Sequence, residues 1–192
     1  MSAKKIIIGV LVVLVIFIIW IGGNIKSSYN DLVVLDEDTQ TAWAQVETVL
    51  QRRYDLIPNL IETVKGFAQQ EREVLTQVTE ARSRVGQAQT PEQQITANNQ
   101  LSGALGRLLL VVERYPELKS NQNFIRLQDE LAGTENRIAV ERRRYNEAVG
   151  VFNQKTRSFP TVVIAGMFGF SPKTRFEADT GAENAPRVDF IR

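Results

Sequence analysis

The sequence predicts an all-α fold: an N-terminal transmembrane helix, then an antiparallel helical bundle whose first helix is very long and bent at Pro58. Three observations predict it. KKIIIGVLVVLVIFIIWIGGNIK carries no charge between Lys5 and Lys26. From Leu32 onward, apolar side chains recur at alternating spacings of four and three, the mark of a long helix with a coiled-coil-like seam. Two later segments repeat that stripe, and one opens with an explicit helix-start signal.

Residues 1–5 form a short leader to the span, and residues 6–25 form the anchor. Ile6 to Gly23 rises roughly 27 Å as a helix, close to the hydrocarbon thickness of a bilayer. Trp20 sits where an interfacial aromatic would hold the far end. A cleaved signal peptide has a shorter apolar core, and no convincing A-x-A site precedes Asn24. An uncleaved anchor in membrane lipid is therefore expected. Lys4 and Lys5 precede the span and Lys26 follows it. That asymmetry puts the N-terminus in the cytoplasm and the body on the periplasmic or extracellular side.

The bundle is expected over residues 26–159, with helices at about 30–86, 91–115 and 120–158. The first seam reads Leu32, Asp36, Thr39, Trp43, Val46, Leu50, Arg53, Ile57, Leu60, Val64, Phe67, Glu71, Val74, Val78, Ala81 and Val85. It keeps its phase past Pro58, so the helix is expected to continue there, bent because the Tyr54 carbonyl loses its donor. The alternative is that Pro58 opens a new helix. Thr90-Pro91-Glu92-Gln93 then reads as an N-cap, a first-turn proline and a capping box. Ile95, Leu101, Leu105, Leu108, Leu109 and Val112 make the apolar face, and Tyr115-Pro116 ends the helix. The third helix carries Phe124, Leu127, Leu131, Ile138, Tyr145, Ala148, Phe152 and Phe159, interrupted by Thr134, Glu141 and Lys155. Phe159-Pro160 breaks it.

Residues 160–176 form an apolar C-terminal segment, too short to span a bilayer as a helix. It could pack onto the bundle, rest at a membrane surface or form a subunit contact. Residues 177–192 read as a flexible tail, with VDFI near its end able to dock as a short extended stretch. The second helix is too short to cover the whole first seam. Trp43, Val46 and Leu50 therefore need either the C-terminal segment or another copy. With Pro58, Tyr145 and Phe152 they form the candidate interface for a homo-oligomer.

The chain has 192 residues, 23 Lys+Arg against 22 Asp+Glu, no cysteine and no histidine. A near-neutral balance argues against nucleic acid as the main partner. Disulfides, thiolate catalysis and Cys-ligated metals are excluded. Without histidine, an acid/base enzyme would rely on carboxylates, Lys or Tyr. Phosphate loops, G-x-S-x-G elbows and HExxH are absent.

Among polar residues, Arg53 at a seam position implies a facing carboxylate, for which Glu141 is one candidate. Asn59, Asn123, Asn136, Asn146 and Asn153, with Glu62 and Glu135, line helix faces, and no acidic loop suited to Ca²⁺ or Mg²⁺ appears. Arg142, Arg143 and Arg144 spread around a helix rather than forming one basic patch. No catalytic, cofactor-binding or metal residues are expected.

TAWAQVETVLQRRYDLIPNLIETVKGFAQQE and ERYPELKSNQNFIRLQDELAGTENRIAVERRRYNEAVGVFNQKTRSFP together resemble the LemA family of bacterial membrane proteins. LIPNL and NRIAVERRRYNEAV are the most specific stretches, and the resemblance runs from about Tyr29 to Phe176. It implies placement in the bacterial cell membrane and carries over no catalytic residues. The expected function is a self-associating, non-enzymatic scaffold. The alternative is an accessory subunit binding another membrane protein, such as an envelope protease or transporter.

Overall fold

The computed structural model describes residues 3–176 and is all-helical there. The elements are α1 (Ala3–Lys65), α2 (Arg72–Gln87), α3 (Pro91–Val112), α4 (Pro116–Lys119), α5 (Gln122–Arg157) and α6 (Thr161–Phe168). The expected tail at 177–192, with its VDFI stretch, lies outside the described residues.

α1 is a single helix of 63 residues, roughly 95 Å long. It is continuous from the apolar stretch into the bundle and runs through Pro58. Proline supplies no N–H, so the carbonyl of Tyr54 loses its helical donor. Arg82 of α2 replaces it: Nε donates to the Tyr54 carbonyl at 3.3 Å. The same guanidinium lies 3.9 Å from the centroid of the Tyr54 ring.

The expected helix over 30–86 is corrected at residue 66. The chain leaves α1 after Lys65 and returns as α2, antiparallel to it. Gly66 lowers helix propensity at this point. Phe67 and Ala68 both donate to the Val64 carbonyl, at 3.0 and 2.8 Å, and Ala68 tucks into the core while Phe67 stays exposed. Val78 and Ala81 remain buried, but from a different helix. Their phase with α1 is fortuitous.

α3 runs parallel to α1, and α5 runs antiparallel to both. Thr90 caps α3 by accepting from Gln93 N, while the Gln93 side chain accepts from Gln89 N at 2.9 Å. Asn121 caps α5 by accepting from Asn123 N and Phe124 N. The short α4 turns the chain between α3 and α5.

Three core clusters stack along α1. The distal one joins Ile57, Leu60 and Val64 to Leu75, Val78, Leu101, Leu108, Phe124 and Leu127. The middle one gathers Val46, Leu50, Ile95, Ile138, Tyr145, Val149 and Phe176. The proximal one holds Leu32, Phe152, Ile164 and Ala165. The seam read from the sequence is the buried face of α1 from Leu32 to Val64. Phe159 departs from expectation: it is 84 % exposed beyond the end of α5.

Arg82→Met should cost about 1–2 kcal/mol in urea unfolding, from one hydrogen bond and one cation–π contact. In a Pro58→Ala background the cost should fall, because the backbone amide restored at position 58 then satisfies the Tyr54 carbonyl.

Candidate functional site

The middle of the bundle is built around one buried charge. Arg53 projects from the inner face of α1 and is 1 % exposed. Its Nη1 donates to Ser102 Oγ at 2.8 Å and to Glu135 Oε2 at 2.9 Å. Nη2 donates to Asn98 Oδ1 at 2.6 Å and to the Asn98 carbonyl at 3.3 Å. A guanidinium presents several donors in one plane, and α3 and α5 supply the acceptors. Burial lowers the Arg53 pKa from its ordinary value. Glu135 opposes that shift, and Arg142 adds to it. The facing carboxylate is thus Glu135 and not Glu141, which pairs with Arg144 on its own helix at 2.9 Å. Beside Arg53 an open cavity of about 360 Å³ is lined by Leu60, Leu105, Gly106, Leu109 and Leu131.

Below Arg53, the C-terminal segment is clasped against α1 and α5. Gly169 ends α6 at φ 79°, a left-handed conformation suited to glycine, and Phe170 N donates to the Ala165 carbonyl at 2.9 Å. The chain then passes back along the bundle without regular secondary structure. Two asparagine amides hold it. Asn153 Nδ2 donates to the Lys173 carbonyl and its Oδ1 accepts from Lys173 N, both at 2.8 Å. Asn146 repeats the pairing with Phe176, both bonds at 2.9 Å. Each primary amide offers a donor and an acceptor side by side, matching the N–H and C=O of one extended residue. One heptad separates the two asparagines, so both face the same groove.

Side chains complete the clasp. Lys173 Nζ lies 2.7 Å from Asp36 Oδ1 and 2.7 Å from Thr39 Oγ1. Phe176 stacks on Trp43 at 5.9 Å between centroids and meets Tyr145 edge-on at 5.7 Å. Tyr145 donates its hydroxyl to the Thr174 carbonyl at 3.1 Å. Burial raises the Tyr145 pKa, and Glu92 adds to the shift. An open cavity of about 390 Å³ beside it is lined by Thr39, Trp43, Glu47, Glu92, Tyr145 and Lys173.

These contacts correct the candidate interface. Val46, Leu50, Tyr145 and Phe152 are buried inside one subunit, and Trp43 and Pro58 are partly buried. The C-terminal segment covers the seam, so no second copy is needed there. Ile6, Trp20 and Gly23 all fall within α1. Among the described residues α1 is the one helix long and apolar enough to cross a membrane. Among the described residues no group of three or more His, Cys, Asp or Glu could hold a metal ion. Sequence reasoning missed Ser102, Asn98, Lys173 and Phe176. The visible clue was the pair Tyr145-Asn146 and Phe152-Asn153, each an aromatic followed by an asparagine, one heptad apart.

The family model for the LemA family matches residues 42–190. The chain belongs to the LemA family. The match begins at the Trp43 side of the clasp and takes in the LIPNL stretch, the Arg53 centre and both asparagines. Among curated relatives, the chain is similar to "Magnetosome protein MamQ 2" of Paramagnetospirillum magneticum, 26 % identical over 175 residues, covering 78 % of this chain and 64 % of the relative. "Magnetosome protein MamQ" of Magnetospirillum gryphiswaldense is 24 % identical over 168 residues, covering 74 % and 62 %. "Protein LemA" of Metamycoplasma hominis is 24 % identical over 137 residues, covering 71 % and 63 %. The LemA-family chain thus spans just under two thirds of the length of these relatives.

Arg53→Ala should cost about 3–5 kcal/mol in chemical denaturation, because it strands the buried Asn98 and the half-buried Ser102 as well as Glu135. Glu135→Gln should cost about 1 kcal/mol, since the Glu135 side chain is 51 % exposed and an amide oxygen can still accept. Asn146→Ala with Asn153→Ala should raise deuterium exchange at the Lys173 and Phe176 amides by an order of magnitude or more, with the α1 and α5 core amides unchanged.

Proposed function

We propose that this LemA-family protein is a membrane-anchored helical stalk that acts as a non-enzymatic scaffold at the bacterial cell membrane. The observation that carries this reading is the unbroken α1. One helix serves as apolar span and as central beam of the bundle, so the body is held at a fixed orientation above the bilayer without a hinge. The Lys4-Lys5 against Lys26 asymmetry favours a periplasmic or extracellular body. The polar side chains that converge within the bundle bind the chain's own backbone and one another, which suits a load-holding role better than chemistry.

Self-association belongs to the same reading, through faces other than the covered seam. Leu109 on α3 lines the open cavity beside Arg53, and Leu110 on α3 and Ile125 on α5 are further exposed apolar residues. The second reading, an accessory subunit for another membrane protein, draws on that cavity too, because it offers a partner helix an apolar groove.

Mass photometry of the full chain in lipid nanodiscs separates the two. Masses at multiples of the 21.7 kDa chain are expected for the scaffold, and Leu109→Glu with Leu110→Glu should return them to monomer. A solitary monomer in the unsubstituted protein would refute self-association and leave the accessory reading.

A further inference from the structure

α6 is attached to the bundle by one face only. Thr161, Ile164 and Ala165 are buried against α1 and α5. Phe159, Val162, Val163, Met167 and Phe168 are exposed. From Ser158 to Pro172 the chain carries no charge, with Arg157 and Lys173 at its borders. An outward apolar face without a single charge is unusual for a surface bathed in water.

Its height along the bundle explains it. Tyr29 of α1 packs against Phe168 and Phe170, with ring centroids 4.7 and 5.9 Å apart. Lys155 of α5 pairs with Asp31 at 2.8 Å, and Phe152 sits in the cluster with Leu32. α5 descends antiparallel to α1, so Arg157 at its end, five residues past Phe152, lies about 7.5 Å nearer the span. That is level with about residue 27, and Phe159 follows directly. Gly23 closes the apolar stretch, and Tyr29 stands only about 9 Å above it. The headgroup layer of a bilayer is roughly 5–8 Å deep on each side. The apolar face of α6 is thereby held at the rim of the membrane by the same helix that crosses it.

We propose that α6 and the preceding Phe159 form an interfacial foot that lies in the headgroup region of the bilayer crossed by α1. The occupant of this face is the lipid surface itself. Phe159, Val162, Val163 and Met167 enter the boundary with the acyl chains, and Lys26 and Arg157 stand at the height of the lipid phosphates. The foot turns a single-point tether into a two-point mount, which sets the tilt and rotation of the stalk. This inference rests on the anchored reading above.

The chain has no cysteine, so single-site labelling is clean. The full protein is placed in nanodiscs of phosphatidylethanolamine and phosphatidylglycerol, with a nitroxide at Val163→Cys or, in a second variant, Met167→Cys. Collision with oxygen against a nickel chelate reports depth. Labels at Phe17→Cys and, in the exposed turn between α1 and α2 at the far end of the bundle, Gln70→Cys provide the bilayer and water references. The expected result is a severalfold higher oxygen-to-nickel ratio at 163 and 167 than at 70, approaching the value at 17. A ratio equal to that at 70 overturns the foot. So does a label shielded from both reagents, or dipolar broadening between copies, since protein rather than lipid would then cover the face. If position 17 itself reads as water, the anchored reading has failed, and that outcome is distinct from a failure of the foot alone.

Discussion

As the membrane-anchored stalk proposed above, α1 has to satisfy two solvents with one backbone. Inside hydrocarbon, every N–H and C=O must be paired within the segment, which a helix does unaided. In water, the same helix gains stability mainly by burying one face. A single uninterrupted α1 meets both demands by changing its side chains and nothing else. Between Lys5 and Lys26 the helix carries no charge and is apolar on every side. From Leu32 to Val64 only one stripe is apolar, and that stripe is covered by α2, α3, α5 and the C-terminal segment. Every other element is placed by which stretch of that stripe it covers.

The coverage changes along the beam. In the distal half, α2 and α3 close the core with α5. In the proximal half α2 is absent, and α6 with the clasped C-terminal segment takes its place. Between the two halves sits Arg53, whose bonds to Ser102, Asn98 and Glu135 tie three helices at one height. A buried arginine gains little net stability over an apolar side chain of similar size. Its value is in register: only one sliding position of α3 and α5 along α1 brings all three acceptors to one guanidinium. The Asn146 and Asn153 clamps do the same for the C-terminal segment, reading backbone rather than side chains.

Much of this was legible in the sequence, and the gaps have physical causes. The stripe from Leu32 to Val64 was visible because a helix-period pattern persists only where one face stays buried. The passage through Pro58 was visible for the same reason. The end of α1 was not, because Val74, Val78, Ala81 and Val85 resume the old phase after the turn at Gly66, and periodicity alone cannot tell a continuing helix from a returning one. Arg53 clearly required a carboxylate. Choosing Glu135 over Glu141 needed the relative height of α5, which depends on two turns and a short helix whose geometry has no pattern. The Lys173 and Phe176 clasp left no periodic trace, since an irregular segment lying on helices is fixed by backbone bonds to asparagine.

The rigidity of α1 between membrane and bundle tip is the claim on which the stalk, the mount and the scaffold all stand. Pulsed electron–electron double resonance between nitroxides at Lys26→Cys and Glu62→Cys, in the full chain in nanodiscs, measures it directly. Both positions are exposed, and about 36 residues of continuous helix between them give about 54 Å. One narrow distance distribution near that value is expected. A broad or clearly shorter distribution, showing a hinge above the span or a fold-back at Pro58, would contradict it.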